Sequence, residues 1–291
     1  MTLYKYVVAD RTDILERGLV RFTHPNALND LAELRPAFGQ IFTADYADHA
    51  LDKERIVKKA YEECPESVRQ TFTPAAFEEF TLAQLASKEG KIELGKALNI
   101  VNAFAPELRT LMYKSFDQMI GVLSLSETWD NAPMWAHYAD QHKGFVIGFD
   151  DSHEYFHRMR SDKDEFYHLR QVVYTDASIE IRSFSDLSSG TRIFLTKDKS
   201  WANEREWRML VPLSDADEVK SQSNDPVHLF HLPGSTVESV IIGVRASDDL
   251  TSKLARILHG STSLAHVKML QAVVDDDRGG LRLIPSIPKT S

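Results

Sequence analysis

Glu204 and Glu206 are the side chains whose type and spacing best fit them for chemistry. They sit in the run Lys199-Ser200-Trp201-Ala202-Asn203-Glu204-Arg205-Glu206-Trp207-Arg208. If this segment is extended, both carboxylates point to one face, Arg205 and Trp207 to the other, and Arg208 returns to the carboxylate face. Like charges that close repel, so they bind cations, share a proton or accept donors from a ligand. The structural alternative is that Glu206 and Arg208 pair with each other or with Lys197 and Lys199, as charges do on sheet faces.

A second constellation lies between Val122 and Asp150. Trp129, Met134, Trp135, His137 and Tyr138 bring aromatic faces and hydrogen-bonding tips together where a plain turn would be small and polar. That composition suits a pocket wall that stacks on a flat ligand. The competing reading is that Trp135 and Tyr138 plug the core. Ser124 and Ser126 alternate with Leu125, which puts both hydroxyls on one side. No G-x-S-x-G surrounds them, so a nucleophilic triad is not supported. His137 and His142 belong to neither H-E-x-x-H nor a Cys/His pattern, and no Rossmann or Walker glycine motif occurs.

The elements that must hold these residues are read from apolar patterning. Leu3 to Ala9, Leu19 to Thr23, Gly121 to Leu125 and Gly144 to Phe149 read as strands, and Asp10 to Gly18 as a short helix closed by glycine. Pro133 opens a helical turn that stacks Met134 and Tyr138 four residues apart. Asn29 and Asp30 read as turn or cap residues after His24-Pro25. From about Leu51 to Met119 the pattern becomes helical, with a face of Ile56, Val57, Ala60 and Tyr61, a Thr73-Pro74 start and an interruption at Pro106. Later strands are expected at Gln171 to Tyr174, Val227 to Leu232, Val237 to Gly243 and His266 to Val274. A helix is expected within Ser188 to Lys199 and another over Asp248 to His259. The tail after Arg278, rich in Gly, Pro and Ser, is expected to be partly loose. The expected organisation is one α+β domain over 1–291, a mixed or mainly antiparallel sheet with flanking helices, carrying a helical insertion at 49–119.

Composition narrows the class. With 291 residues and a formal net charge of −9, the chain is large enough for a full core and carries no basic tail for indiscriminate nucleic-acid or membrane binding. A local basic groove stays compatible with that sum. A single cysteine, Cys64, rules out an internal disulfide framework and a multi-cysteine zinc site, and fits a reducing cytosol. No signal-peptide or membrane-spanning run occurs, so a cytoplasmic protein is expected.

Leu3-Tyr4-Lys5-Tyr6, Pro25 with Asn29-Asp30, Ser124-Leu125-Ser126-Glu127, Met134-Trp135-Ala136-His137-Tyr138 with Gly144 and Gly148-Phe149, and Trp201 with Glu204-Arg205-Glu206-Trp207-Arg208 form an ordered set. Over Leu3 to Val244 this set resembles a bacterial family catalogued as domain of unknown function 2971. More distantly, the order resembles the ADP-ribosyltransferase fold, whose members present a first strand with Arg or His, a second with S-x-S or Tyr, and a last with a catalytic Glu, often in E-x-E. By that resemblance Lys5 or Tyr6 takes the first station, Ser124 and Ser126 the second, and Glu206 the third with Glu204 before it. Lys5 departs from the usual Arg or His.

The resemblance implies NAD as substrate with no metal, and cleavage of its nicotinamide–ribose bond. Glu206 would face the developing positive charge, and Glu204 would orient or deprotonate the attacking group. Trp135, His137 and Tyr138 would help bind the cofactor, while Asn29, Asp30, Trp201 and Arg208 would support or orient it. A macromolecular acceptor, protein or nucleic acid, and a role as toxin or phage-defence effector follow from the same resemblance. Two other classes stay open: a non-catalytic nucleotide- or partner-binding module, and a nuclease holding a divalent ion on Glu204, Glu206 and Asp30.

Overall fold

Leu3 to Val7 alternates across a strand, β1 (Thr2–Val7), that lies at the middle of the largest sheet. The structure, a computed structural model, describes residues 1–29, 37–38, 52–159, 161, 164–176, 180–181, 191–220 and 226–286. The following strands are β2 (Leu19–Phe22), β3 (Ala37–Phe38), β4 (Ile120–Ser126), β5 (Phe145–Asp150), β6 (Leu169–Gln171), β7 (Val173–Thr175) and β8 (Glu180–Ile181). Then come β9 (Thr196–Asp198), β10 (Glu206–Pro212), β11 (Glu218–Lys220), β12 (Val227–His231), β13 (Val237–Ile242), β14 (Lys268–Val274) and β15 (Leu281–Pro285).

Eight of these form a sheet in the order β15-β14-β13-β5-β1-β4-β10-β6, antiparallel throughout except for the parallel pair β13 and β14. A second sheet orders β11-β12-β2, and two short parallel pairs join β3 to β8 and β7 to β9. The fold is α+β with mixed, mainly antiparallel sheets.

Chain contacts divide the protein into two compact units. One comprises Met1–Leu34, Ser115–Ala177 and Phe194–Ser291, the other Arg35–Lys114 and Ser178–Ile193. The second unit holds helices Lys53–Glu63, Glu66–Thr71, Pro74–Ala86 and Lys88–Ala103. Thr73 accepts the Ala76 N–H at 3.3 Å and Pro74 opens the helix, since its missing N–H costs nothing there. Of the expected face Ile56, Val57, Ala60 and Tyr61, only Val57 is buried.

In the first unit the helix Asp248–Gly260 buries Leu250, Leu254 and Leu258 in the main core, with Leu3, Phe149, Val240 and Ile242 from the sheet. Ser247 caps this helix by accepting the Leu250 N–H at 3.1 Å. A smaller core gathers Tyr6, Trp135, Ala139, Val146, Ile241 and Ala272.

Two local expectations are refined. Within the tail after Arg278, Leu281 to Pro285 form the strand β15 paired with β14, and residues 287–291 lie outside the described residues. The strand expected at Gln171 to Tyr174 is two strands. The Val172 N–H still donates to the Glu206 carbonyl at 2.9 Å, in register with the Trp207–Gln171 pair. From Val173, whose N–H donates to the Leu195 carbonyl at 2.8 Å, the chain changes partner from β10 to β9.

The large sheet has one weak seam. β1 pairs with β5 over six positions and β4 with β10 over seven, but β1 and β4 share only the pair Tyr4 and Ser126. Past that point β4 turns its edge to β2: Thr23 and Val122 exchange two backbone hydrogen bonds of 2.8 Å. Residues of β1, β4 and β10, the strands at and beside this seam, line a common cleft.

Candidate functional site

A cavity of about 220 Å³ fills this cleft, within the first unit. β1 gives it Lys5, β2 Arg21, β4 Ser124, and β10 Glu206 and Arg208, while Met134 and Tyr138 reach in from the helix Ala132–Tyr138. Asn131 caps that helix on the Met134 N–H at 3.2 Å, and Pro133 lies in its first turn, so the expected four-residue stack of Met134 and Tyr138 faces the cavity. The register sets the opposite wall: Ser126 lies across from Glu206 and Ser124 across from Arg208. The alternation of each strand thus puts both serines on the same face as Glu206 and Arg208.

The carboxylates converge by a different route from the one expected. β10 begins at Glu206, and Glu204 ends the 3-10 turn Lys199–Glu204, so the two do not alternate along one strand. Between them Arg205 is left-handed, with φ 45° and ψ 54°, a conformation that is strained for any residue with a Cβ. Hydrogen bonds pin the backbone on both sides of it. Ser126 Oγ donates to the Glu204 carbonyl at 2.7 Å, and the Glu127 N–H donates to the Arg205 carbonyl at 3.1 Å. Ser126 is therefore buried beneath the pair and holds its backbone.

Around the carboxylates the charges are closely matched. Arg208, fully buried, donates Nε to Glu206 Oε1 at 2.8 Å and Nη2 to Oε2 at 2.9 Å, while its Nη1 donates to the Phe194 carbonyl at 2.8 Å. Lys197 Nζ bridges the pair, 2.6 Å from Glu204 Oε2 and 3.1 Å from Glu206 Oε2. The Tyr138 hydroxyl donates to the other Glu204 oxygen at 2.8 Å. Trp201 lies over the Lys197 ammonium, 4.9 Å from ring centroid to Nζ.

Burial raises the Glu206 carboxyl above its ordinary range, against the pull of Lys197 and a hydrogen bond from Ser124. Burial by itself would lower the Lys197 ammonium, but Glu206 and Glu204 outweigh it and hold it above its usual value. Burial, with the Glu204 charge, raises the Tyr138 phenol, which therefore stays protonated as the donor to Glu204.

Lys5 sits under the opposite condition. Its Nζ has a carbonyl, that of Ser124, at 3.5 Å, and among the described residues no carboxylate oxygen lies within salt-bridge distance of it. Burial, with Arg11 and more weakly Arg21 acting in the same direction, lowers its pKa to about 8 against an upward pull from the Glu206 charge.

The remaining expected residues divide. Asn29 lines the cavity with Tyr138 and acts on its hydroxyl, opposing the rise of its pKa. Tyr6 lies at the cavity edge, its hydroxyl donating to the Thr128 carbonyl at 2.8 Å and its ring packed edge-on against Trp135. Trp135 is completely buried, donates Nε1 to the Trp129 carbonyl at 2.7 Å and stacks on His142, so it belongs to the core and not to the cavity wall. His137 is exposed on the outer side of its helix and does not line the cavity. Asp30 lies outside the described residues. Among the described residues no group of three or more His, Cys, Asp or Glu is arranged to hold a metal. The ammonium of Lys197 occupies the place between the two carboxylates where a cation would sit.

Arg21 and Thr23 were missed as wall residues. Strand alternation could have found Arg21, which stands between the buried Val20 and Phe22 and must face the other way. Lys197 was named only as a neighbour for the glutamates. Four cationic side chains, Lys5, Arg21, Lys197 and Arg208, and two acidic ones line the described cavity, which makes it locally basic in a chain of net charge −9.

Residues 134–209 match the model of a family described as protein of unknown function (DUF2971). The match holds Met134, Tyr138, Lys197, Glu204, Glu206 and Arg208, and leaves out β1, the turn after β2 and β4. No curated protein and no solved structure matches the chain. No described helix is long and apolar enough to cross a membrane.

Proposed function

We propose that this chain is an ADP-ribosyltransferase-like enzyme that cleaves the nicotinamide–ribose bond of NAD in the cleft at the seam of its sheet. It then passes ADP-ribose to a macromolecular acceptor, protein or nucleic acid, as toxins and phage-defence effectors do. One observation carries the reading: Lys5, Ser124 and Glu206, three stations far apart in sequence, stand on the adjacent strands β1, β4 and β10 and line one cavity.

A cavity of about 220 Å³ is smaller than a whole dinucleotide requires, so it would take the nicotinamide–ribose end and leave the rest across its mouth. Bond cleavage builds positive charge on the ribose as the leaving nicotinamide becomes neutral. A fixed carboxylate at that ribose lowers the barrier because it needs no reorganisation when the charge appears. Glu206 is such a group, held in place by both nitrogens of the Arg208 fork. Three of its roughly four acceptor positions are taken by Arg208 and Lys197, and the fourth is free for a ribose hydroxyl when Ser124 yields its hydrogen bond. Tyr138, in place of Trp135, offers the ring for nicotinamide, and Lys5 with Arg21 attracts the phosphates. Glu204, tied to Tyr138 and Lys197, would receive the proton of the attacking group.

A second reading, a non-catalytic nucleotide-binding module, is favoured by the same ion pairs, since carboxylates already bound by Arg208 and Lys197 are electrostatically satisfied. Nicotinamide release from labelled NAD, measured on the wild type and on Glu206→Gln, separates the two. Release that falls by about a hundredfold or more in the variant, with cooperative unfolding retained, supports the enzyme. NAD binding without release in the wild type would establish the module. Neither binding nor release by the folded wild type would remove NAD as the ligand.

A further inference from the structure

Outside the glutamate pair, another carboxylate reaches the cavity indirectly. Asp117, near the end of helix Ala105–Met119, points Oδ1 at the turn that follows β2. That oxygen accepts both Nδ1 of His24 and the backbone N–H of Asn26, each at 2.8 Å. Burial works against the Asp117 charge, but the bonds from Asn26 and His24 outweigh it and keep the carboxyl below its ordinary range. The segment it grips, Pro25–Ala27, is a single 3-10 turn, closed by Ala27 N–H to His24 O at 3.0 Å and Leu28 N–H to Pro25 O at 3.2 Å. Turns this short have little stability of their own, so a charged acceptor on the backbone counts for much.

The last residue of the turn, Ala27, and the two that follow it, Leu28 and Asn29, form a wall of the cavity. Asn29 lines the cavity with Tyr138 and acts on its hydroxyl, opposing the rise of its pKa, and that hydroxyl donates its proton to Glu204. Asp117 is thus linked through the turn to the Ala27–Asn29 wall, which shares the cavity with Tyr138 and the carboxylate pair.

We propose that Asp117 is a positioning residue for the cavity, clasping the turn at His24 and Asn26 so that the Ala27–Asn29 wall is held for ligand. The inference rests on this cavity being the binding site of the proposed function, and it concerns affinity rather than the bond-breaking step.

The test compares Asp117→Ala with Asp117→Asn, which keeps an amide oxygen for the Asn26 N–H. Hydrogen exchange reads the clasp itself: faster exchange in the alanine variant at Asn26, Ala27 and Leu28, with β10 amides unchanged, is expected. ADP-ribose titration is expected to show affinity about tenfold weaker for Asp117→Ala and within about threefold of wild type for Asp117→Asn, with the KM for NAD rising in parallel and kcat changing less. Unchanged exchange at the three amides would overturn the proposal, as would equal loss of affinity in both variants together with a general fall in unfolding temperature. Should the wild type bind no ADP-ribose, the NAD reading falls, and local exchange at the turn still decides the clasp.

Discussion

Two lysines that line the cavity, Lys197 buried and Lys5 half-buried, differ in almost everything except their charge. Lys197 sits within 2.6 Å and 3.1 Å of two carboxylates and is held charged, above its ordinary pKa. Lys5, with a carbonyl at 3.5 Å and two arginines acting against it, is lowered to about 8. On the β10 wall the carboxylates are thus paired, whereas on the β1 wall the desolvation of Lys5 is offset only in part, by the Glu206 charge acting without direct contact. An anionic ligand group would supply the rest of that offset. Under the proposed function, the β1 and β2 wall draws the anionic end of the ligand and the β10 wall holds the carboxylates of the bond-breaking step.

The largest expected effect breaks the paired wall. Arg208→Ala leaves Glu206 buried with one of its two cations gone, and removes the donor on the Phe194 carbonyl. Such a loss costs about 3–5 kcal/mol of stability, read as a lower midpoint in denaturant unfolding. If the midpoint barely moves, the wall is not the rigid, prearranged element described above.

An intermediate effect tests the β1 wall through pH. Unfolded, Lys5 keeps its proton up to its ordinary pKa of 10.5; folded, it keeps it only up to about 8. Between those values the unfolded chain binds the extra proton, so raising pH through this window stabilises the folded state. Lys5→Met should therefore be more stable than the wild type at pH 7, by about 2 kcal/mol, with the difference shrinking toward pH 10. The same variant should lose affinity for ADP-ribose. Parallel pH profiles for the two proteins would show that Lys5 carries no desolvation penalty.

The smallest effect sharpens the comparison at Lys197. Trp201→Leu removes the ring over the ammonium while keeping apolar cover, and should cost about 0.5–1 kcal/mol in thermal unfolding. A loss several times larger would mean that Trp201 shields the ion pairs from water, and that the wall depends on exclusion more than on pairing.

Much of the wall chemistry was legible in the sequence. The two-residue spacing of Ser124 and Ser126, and of Glu206 and Arg208, sets which side chains share a face, because strand alternation is a property of the backbone. Met134 and Tyr138 likewise follow from helical spacing after Pro133. Trp135 was not legible as a core residue: its sequence neighbourhood matches that of Tyr138, and only the strands packed against it distinguish them. Asp117 gave no signal, since its partners His24 and Asn26 lie more than ninety residues away.

What the sequence by itself determined is the α+β class, most strand positions and the side chains each strand could offer to one face. Local steric periodicity and capping chemistry are enough for that. The tertiary structure decided the seam between β1 and β4, the capture of the β4 edge by β2, the left-handed Arg205 and the bridge made by Lys197. Each of these depends on segments distant in the chain meeting at a particular register. The energies that select that register come from burial and charge pairing across the sheet, which short-range pattern does not encode.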